Sequence, residues 1–447
     1  MKCFLFLQLF GLIVFVPIFS EAKIPAPQNT SDSSVVIYFK ENINDFRKKN
    51  SSVLPEGKKV RLKDIQKSRK EIWALWRKAN TDVAELPDFI KASEDPKYVY
   101  PTNTWQLHDE DPMPFYYISK GNQPKNGFPL FINIHGSGPK KSEFEATLRL
   151  ALRYKDAPSL YFIPQIPNEK RYRWWFQPEQ FAWEKLFRLS MLTDYIDANK
   201  LFFMGISEGG YGSQRLGAFY ADYLAGAGPM AGGEPLENAP PLNYRNIAFS
   251  LQTGENDLRF GRNKLTQRAG EVFDSLKTIY PDAYNHKIEI QPGRGHSIDY
   301  TTTTPWLIQF KRNPHPSSVS WVNFPMHGRY RTGFYNIGID KPLNISDTAE
   351  IDRAVFDLQM DKDKNTIHLD VWLTDAHQIK KEEVQQGEIS IYLGPELINL
   401  SKKVKLYYRG KLIFNKKVSL NKRILIESCA LFGDPERIFP GKITVNL

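Results

Sequence analysis

From about residue 98 to residue 315 the chain alternates short, almost wholly apolar runs with longer amphipathic stretches. That alternation restricts the fold more than any other feature. Residues 115–118, 129–134, 160–163, 201–204 and 248–251 each read as a strand, and 288–290 as a shorter one. Between them, residues 183–196 and 262–279 carry apolar side chains at helical spacing. A strand that is apolar at nearly every position has no face to give to water. A sheet of such strands must be covered on both sides. The expectation is an α/β fold, a mostly parallel sheet with helices on both faces.

The flanks read differently. Lys2 precedes an apolar run ending near Ile18, and Ser20-Glu21-Ala22 offers small residues where a signal peptidase cuts, so residues 1–22 are expected to be a signal peptide. The chain is therefore expected to be secreted or periplasmic, with no stable membrane insertion after signal cleavage, since no other stretch is apolar enough to span a bilayer. Residues 23–97 are a polar linker followed by a largely helical segment. Its clearest stretch is 62–76, where apolar residues recur three or four apart. From 316 to 447 the helical signal fades and short strands recur, at 367–373, 388–393 and 404–408, with turn signals such as Arg409-Gly410 between them. This predicts a small all-β, sandwich-like domain after the α/β one. Removal of the signal takes Cys3 with it and leaves Cys429 without a partner, so packing rather than an internal disulfide must hold the mature chain.

Within the alternating region, Gly205-Ile206-Ser207-Glu208-Gly209 follows the strand at 201–204 and precedes a helix-compatible run, 210–224. A bare G-x-S-x-G is common by chance. Between a strand and a helix it is a nucleophile elbow, in which a tight turn presents the serine hydroxyl at the edge of the sheet and small neighbours relieve the crowding. Ser207 is thus the candidate nucleophile. Its chemistry needs a base, an acid to orient that base, and donors for the oxyanion. Asp257, in Gly254-Glu255-Asn256-Asp257 after the strand at 248–251, is the candidate acid, with Glu255 as its competitor. His296, in Gly293-Arg294-Gly295-His296 after the strand at 288–290, is the candidate base. His315 and His327 lie nearer the domain boundary and fit the role less well.

His135-Gly136-Ser137-Gly138 follows the strand at 129–134. Its small residues let a substrate carbonyl come close to backbone N–H groups. Glu208 N–H would supply one oxyanion donor and Gly136 or Ser137 the other, with His135 bracing the loop. Trp174 and Trp175 lie in a loop-to-helix region and are candidates for lining a sugar- or aryl-binding pocket, or for packing a lid onto the sheet. Asp361-Lys362-Asp363-Lys364-Asn365 begins like a calcium loop but has Thr366 and Trp372 where glycine and glutamate are needed, so it reads as a β-turn. No metal site, cofactor or phosphate-binding loop is expected.

His135-Gly136-Ser137-Gly138, Gly205-Ile206-Ser207-Glu208-Gly209-Gly210-Tyr211-Gly212 and Gly293-Arg294-Gly295-His296 together resemble the α/β-hydrolase superfamily, in its secreted esterase group. The pattern is similar to that of feruloyl-esterase and polyhydroxybutyrate-depolymerase-like enzymes and of related hydrolases of Bacteroidetes-type bacteria. The resemblance covers roughly residues 100–310. It implies carboxylester hydrolysis through a Ser-His-Asp acyl-enzyme mechanism, with a small-molecule or polysaccharide-linked ester (acetyl or feruloyl) as substrate. Ser137 stands where the depolymerases usually carry a cysteine. A serine peptidase of the oligopeptidase type is the competing activity, although too few residues precede the hydrolase region for the β-propeller such enzymes carry. A glycan- or protein-binding role is the alternative for the C-terminal domain. The net charge of +10 suits a solvated basic surface; no Arg-rich helix or RNA-binding strand motif accompanies it, so no nucleic acid partner is expected.

Overall fold

A computed structural model describes residues 32–43, 53–171, 173–345 and 350–447. The expected signal peptide and most of the linker lie outside these residues. Nine strands form the central sheet: β1 (Ile90–Lys91), β2 (Asn103–Trp105), β3 (Met113–Lys120), β4 (Phe128–Ile134), β5 (Ser159–Pro164), β6 (Ile196–Ile206), β7 (Gly226–Met230), β8 (Ala248–Gly254) and β9 (His286–Gln291). Their order is β1-β3-β5-β4-β6-β7-β8-β9, with β2 paired to β3. The six strands from β5 to β9 run parallel, and β3 lies antiparallel to β5. This is the α/β-hydrolase arrangement. The order reverses at β4, whose neighbours on its two sides are β5 and β6. The C-terminal ends of strands beside such a reversal are where α/β sheets bind ligands.

Both faces of the sheet are covered, as the strand composition requires. Leu130, Ile132, Leu201 and Phe203 point into the core shared with α4 (Gln177–Leu192) and α5 (Glu208–Phe219). Their neighbours Phe131, Phe202 and Met204 point the opposite way, toward α3 (Lys140–Ala151) and α7 (Thr303–Leu307). α6 (Arg262–Ile279) packs along β8 and β9. β7 escapes a reading based on β-propensity because it is Gly226-Ala227-Gly228-Pro229-Met230. A Cβ on Gly228 would come within 2.7 Å of Leu307 and Thr303, so α7 can seat there only if the strand is nearly bare. The helix expected at 183–196 instead spans α4 and ends at Leu192, because Ile196 already begins β6.

The C-terminal region holds two sheets. One contains β10 (Ser318–Asn323), β13 (Arg353–Asp361), β14 (Thr366–Thr374), β15 (Glu382–Glu383), β17 (Val404–Tyr408) and β18 (Lys411–Lys416); the other contains β11 (Gly333–Phe334), β12 (Ile337–Lys341), β16 (Glu388–Leu393) and β19 (Gly441–Asn446). Along β14 the alternation is clear: Ile367, Leu369, Val371 and Leu373 are buried while His368 and Asp370 are exposed. Asp361–Asn365 forms the turn between β13 and β14, with Asp361 Oδ1 accepting from Lys364 N–H at 2.9 Å.

Two expectations need correction. The C-terminal region is not all-β, because it contains α8 (Lys422–Phe432), capped by Asn421 Oδ1 on Arg423 N–H (2.7 Å) and closed by left-handed Gly433. Among its described residues the N-terminal segment is helical only in α1 (Asp32–Asn42), α2 (Ile65–Ala79) and two short 3₁₀ turns. Its α2 packs on α8, Arg69 of α2 is paired with Glu396 in the loop after β16 at 2.5 Å, and Asp82, just past α2, is paired with Arg188 of α4 at 2.6 Å. One apolar core runs from Trp76 through Trp183 and Phe203 to Trp321 and Leu425, so the C-terminal sheets are fused to the core of the central sheet.

A fully buried ionic cluster fastens this junction. Arg437 donates to Asp222 (2.6 Å) and Asp434 (2.8 Å), Arg331 pairs with Asp222 (2.5 Å) and Arg312 with Asp434 (2.7 Å). Burial pushes the Asp222 carboxyl up, but Arg331 and Arg437 together outweigh it, and its pKa ends below the ordinary carboxylate value.

Candidate active site

Strands β4 and β6 are neighbours, with Ile134 opposite Gly205, so the loops leaving their C-terminal ends meet. Ser207 lies in the turn from β6 into α5 with φ 58° and ψ −115°, a conformation that L side chains rarely adopt. Two glycines make that turn possible. A Cβ on Gly209 would lie 2.1 Å from Ile134 O, and one on Gly205 would lie 2.5 Å from Gly209 O. The turn puts Ser207 directly before the first residue of α5, so Glu208 N–H is one of the helix's unbonded N-terminal donors.

The structure brings Asp257 and His296 to this serine. His296 Nε2 is 3.0 Å from Ser207 Oγ, and His296 Nδ1 is 2.7 Å from Asp257 Oδ2. A carboxylate facing Nδ1 holds the proton on that nitrogen and leaves Nε2 free to accept from the hydroxyl. Asp257 is 3 % exposed, whereas the His296 side chain is 47 % exposed, so the acid is shielded while the serine–histidine pair faces solvent. The loops carrying the two residues are stitched together. Asn256 N–H donates to Arg294 O at 2.7 Å, and a Cβ on Gly254 would sit 2.0 Å from Gly295 O. Glu255, the competing acid, instead accepts from Gly293 N–H at 2.8 Å and braces the histidine loop. His315 bonds Glu436 O (2.6 Å) and His327 stacks on Phe176 (3.8 Å), both in other contacts.

The loop after β4 lies against the serine, where a Cβ on Gly136 would be 3.3 Å from Ser207 Cβ. His135 is fully buried. Its Nε2 accepts from Ile166 N–H at 2.9 Å, so Nδ1 carries the proton and donates to Gly136 O at 2.7 Å. Burial pushes its pKa down to about 4, so the ring is neutral through the physiological range. In a trans peptide the carbonyl and the following N–H point in opposite directions. With Gly136 O drawn to the buried His135, the Ser137 N–H is turned away from that ring. The Glu208 side chain is pushed toward its neutral form by burial, an effect opposed by the paired Arg173 guanidinium at 3.0 Å.

The tryptophans do not line an open pocket. Trp174 is fully buried beneath the elbow. Its Nε1 donates to His135 O (3.0 Å), and its Cβ would be 2.8 Å from a Cβ on Gly212. Trp175 is 7 % exposed, covered by the guanidiniums of Arg215 (4.1 Å) and Arg173 (5.6 Å). Their role is packing, because the bulk that makes tryptophan attractive as a ligand platform also fills the space under α5. One residue at the site has no signal in the sequence: Arg262, at the start of α6, whose Nη1 is 3.0 Å from Asp257 Oδ1. Among the described residues no cluster suited to a metal ion occurs.

No protein-family model matches the chain, and no curated protein matches it. Solved structures with a similar arrangement include a thermostable esterase (19% identity, 48% of this chain and 63% of the other, TM-score 0.38). Others are S-formylglutathione hydrolase from Staphylococcus aureus (13%, 47% and 96%, 0.35) and a ferulic acid esterase from Anaeromyces mucronatus (12%, 50% and 94%, 0.36). The chain spans less than two thirds of the thermostable esterase. Likeness at this level transfers no activity.

Proposed function

We propose that the protein is a serine hydrolase that cleaves carboxylic esters through an acyl-enzyme. The observation that carries this reading is the unbroken line from Ser207 Oγ through His296 to Asp257, with distances of 3.0 and 2.7 Å. As Ser207 Oγ attacks the ester carbonyl, its proton passes to His296 Nε2. The imidazolium so formed is held by Asp257. The oxyanion forms between the N–H groups of Glu208 and Ser137, donors fixed before the reaction begins. His296 then gives its proton to the departing alcohol, and the acyl group remains on Ser207. Water enters, loses a proton to His296 and attacks the acyl-enzyme. The carboxylic acid leaves as the proton returns to Ser207.

The half-exposed His296 supports a substrate that reaches the serine from open solvent, such as a small ester or one carried on a polysaccharide. Export directed by residues 1–22 would put the enzyme where such polymers are met. The test is a substrate panel of p-nitrophenyl acetate, longer acyl and feruloyl esters, and an aminoacyl-naphthylamide. Ester hydrolysis that vanishes in Ser207→Ala is the expected outcome. Amide cleavage without ester cleavage would make the enzyme a peptidase instead.

A further inference from the structure

Asp257 uses one carboxylate oxygen for His296. The other, Oδ1, receives Arg262 Nη1 at 3.0 Å, and Arg262 Nε donates to Tyr211 Oη at 2.7 Å. Tyr211 belongs to the helix that begins at the elbow, and its N–H donates to Ser207 O at 3.0 Å. These contacts close a ring: Ser207, the first turn of α5, Tyr211, Arg262, Asp257, His296 and back to Ser207. The guanidinium is planar, and its donors point in fixed directions. Its two bonds therefore set the place of the Asp257 carboxylate relative to the helix that carries the nucleophile. Arg262 is itself locked. It is 5 % exposed, follows left-handed Gly261 at the start of α6, and its backbone lies so close to Gly233 that a Cβ there would come within 2.9 Å of Arg262 O.

We propose that Arg262 is a positioning residue for the triad, holding Asp257 in register with Ser207 by bridging the acid loop to Tyr211. This rests on the serine-hydrolase reading above. A purely electrostatic role predicts a different outcome. A cation beside Asp257 weakens its hold on the imidazolium formed during attack, so removing that cation would speed the reaction. A positioning role predicts that losing the fork slows it, even when the charge is kept.

The two separate in Arg262→Lys, which keeps a cation but offers a point charge that cannot hold both acceptors in one plane. Misplacement of a reacting group by about 1 Å costs on the order of 100-fold. The expected result with the full chain and p-nitrophenyl acetate is a kcat lower by about 10- to 100-fold with KM unchanged. The rate of covalent labelling by a fluorophosphonate probe falls by the same factor. Tyr211→Phe, which leaves the Arg262–Asp257 pair in place, gives a smaller loss in the same direction. Arg262→Ala regains rate when methylguanidinium is added. A wild-type kcat in Arg262→Lys overturns the proposal while labelling of Ser207 in the wild type leaves the hydrolase reading standing. Should the lysine variant not fold, a wild-type kcat in Tyr211→Phe overturns it instead. A wild-type chain that the probe does not label overturns the hydrolase reading itself.

Discussion

The backbone at Ser207 gives a stability prediction that opposes the activity prediction. With φ 58° and ψ −115°, the residue occupies a region open to glycine and costly for any side chain bearing a Cβ. Such strain is worth about 1–3 kcal/mol. Ser207→Ala and Ser207→Gly both delete the hydroxyl and its bond to His296, so that loss cancels in their comparison. Only the glycine relieves the strain. Against this, glycine's extra freedom in the unfolded chain costs about 0.4–1 kcal/mol. The difference leaves Ser207→Gly more stable than Ser207→Ala by roughly 1 kcal/mol, with an upper end of about 2.6. The assay is urea unfolding followed by tryptophan fluorescence, with both variants also measured against p-nitrophenyl acetate. Both should be inactive, and the glycine variant should unfold at higher urea with the same slope. An alanine variant as stable as the glycine variant would refute the argument that the elbow holds its serine under strain.

Other consequences follow from buried charge and close packing. Asp222→Asn takes from Arg331 its carboxylate and from Arg437 one of its two in a dry interior, which should cost about 3–5 kcal/mol in denaturant unfolding. Because the folded Asp222 carboxyl lies below its ordinary value, its contribution is complete above the unfolded pKa of about 4 and is lost as pH falls through the folded value. The wild type should therefore lose stability below that pH more steeply than Asp222→Asn. His135 follows the same sign: its folded pKa of about 4 lies below the ordinary 6.5, so stability is complete above 6.5 and is lost as pH falls toward 4. The loss is roughly 3 kcal/mol, and it should be absent from His135→Gln when unfolding midpoints are compared across that range. Gly209→Ala forces a Cβ to within 2.1 Å of Ile134 O, and this variant should neither hydrolyse ester nor react with a fluorophosphonate probe.

The features legible in the sequence were those written in local patterns. Strands β4, β5 and β8 and the inner half of β6 announce themselves because parallel strands buried on both faces are apolar there, β3 is as apolar although it lies antiparallel to β5, and β9 shows only Ile288 and Ile290. α6 is legible to its ends, Arg262 and Ile279, from its spacing alone. The loops bearing Ser207, Asp257 and His296 could be picked out because glycines mark the ends of strands, and the structure brings all three residues together. What was hidden depends on contacts between distant residues. The bridge from Arg262 to Tyr211 joins residues 51 apart. Arg312, Arg331 and Arg437 read as part of a solvated basic surface, yet each is buried against Asp222 or Asp434 from another part of the chain. Trp174 and Trp175 show the reverse error. Sequence placed them near the site, and only packing could tell a buried wedge from a ligand platform. α8 is hidden in the sequence although Asn421 and Gly433 supply its cap signals, because Ile424-Leu425-Ile426 inside it matches the strands around it.

The central claim is that Ser207 is a nucleophile activated by His296. Its most direct test is exposure of the intact protein to a fluorophosphonate probe, followed by intact-mass and peptide mass spectrometry. The account predicts a single adduct, on Ser207, formed much more slowly in His296→Ala and absent from Ser207→Ala. An unlabelled wild type, or an adduct that persists in Ser207→Ala, would contradict it.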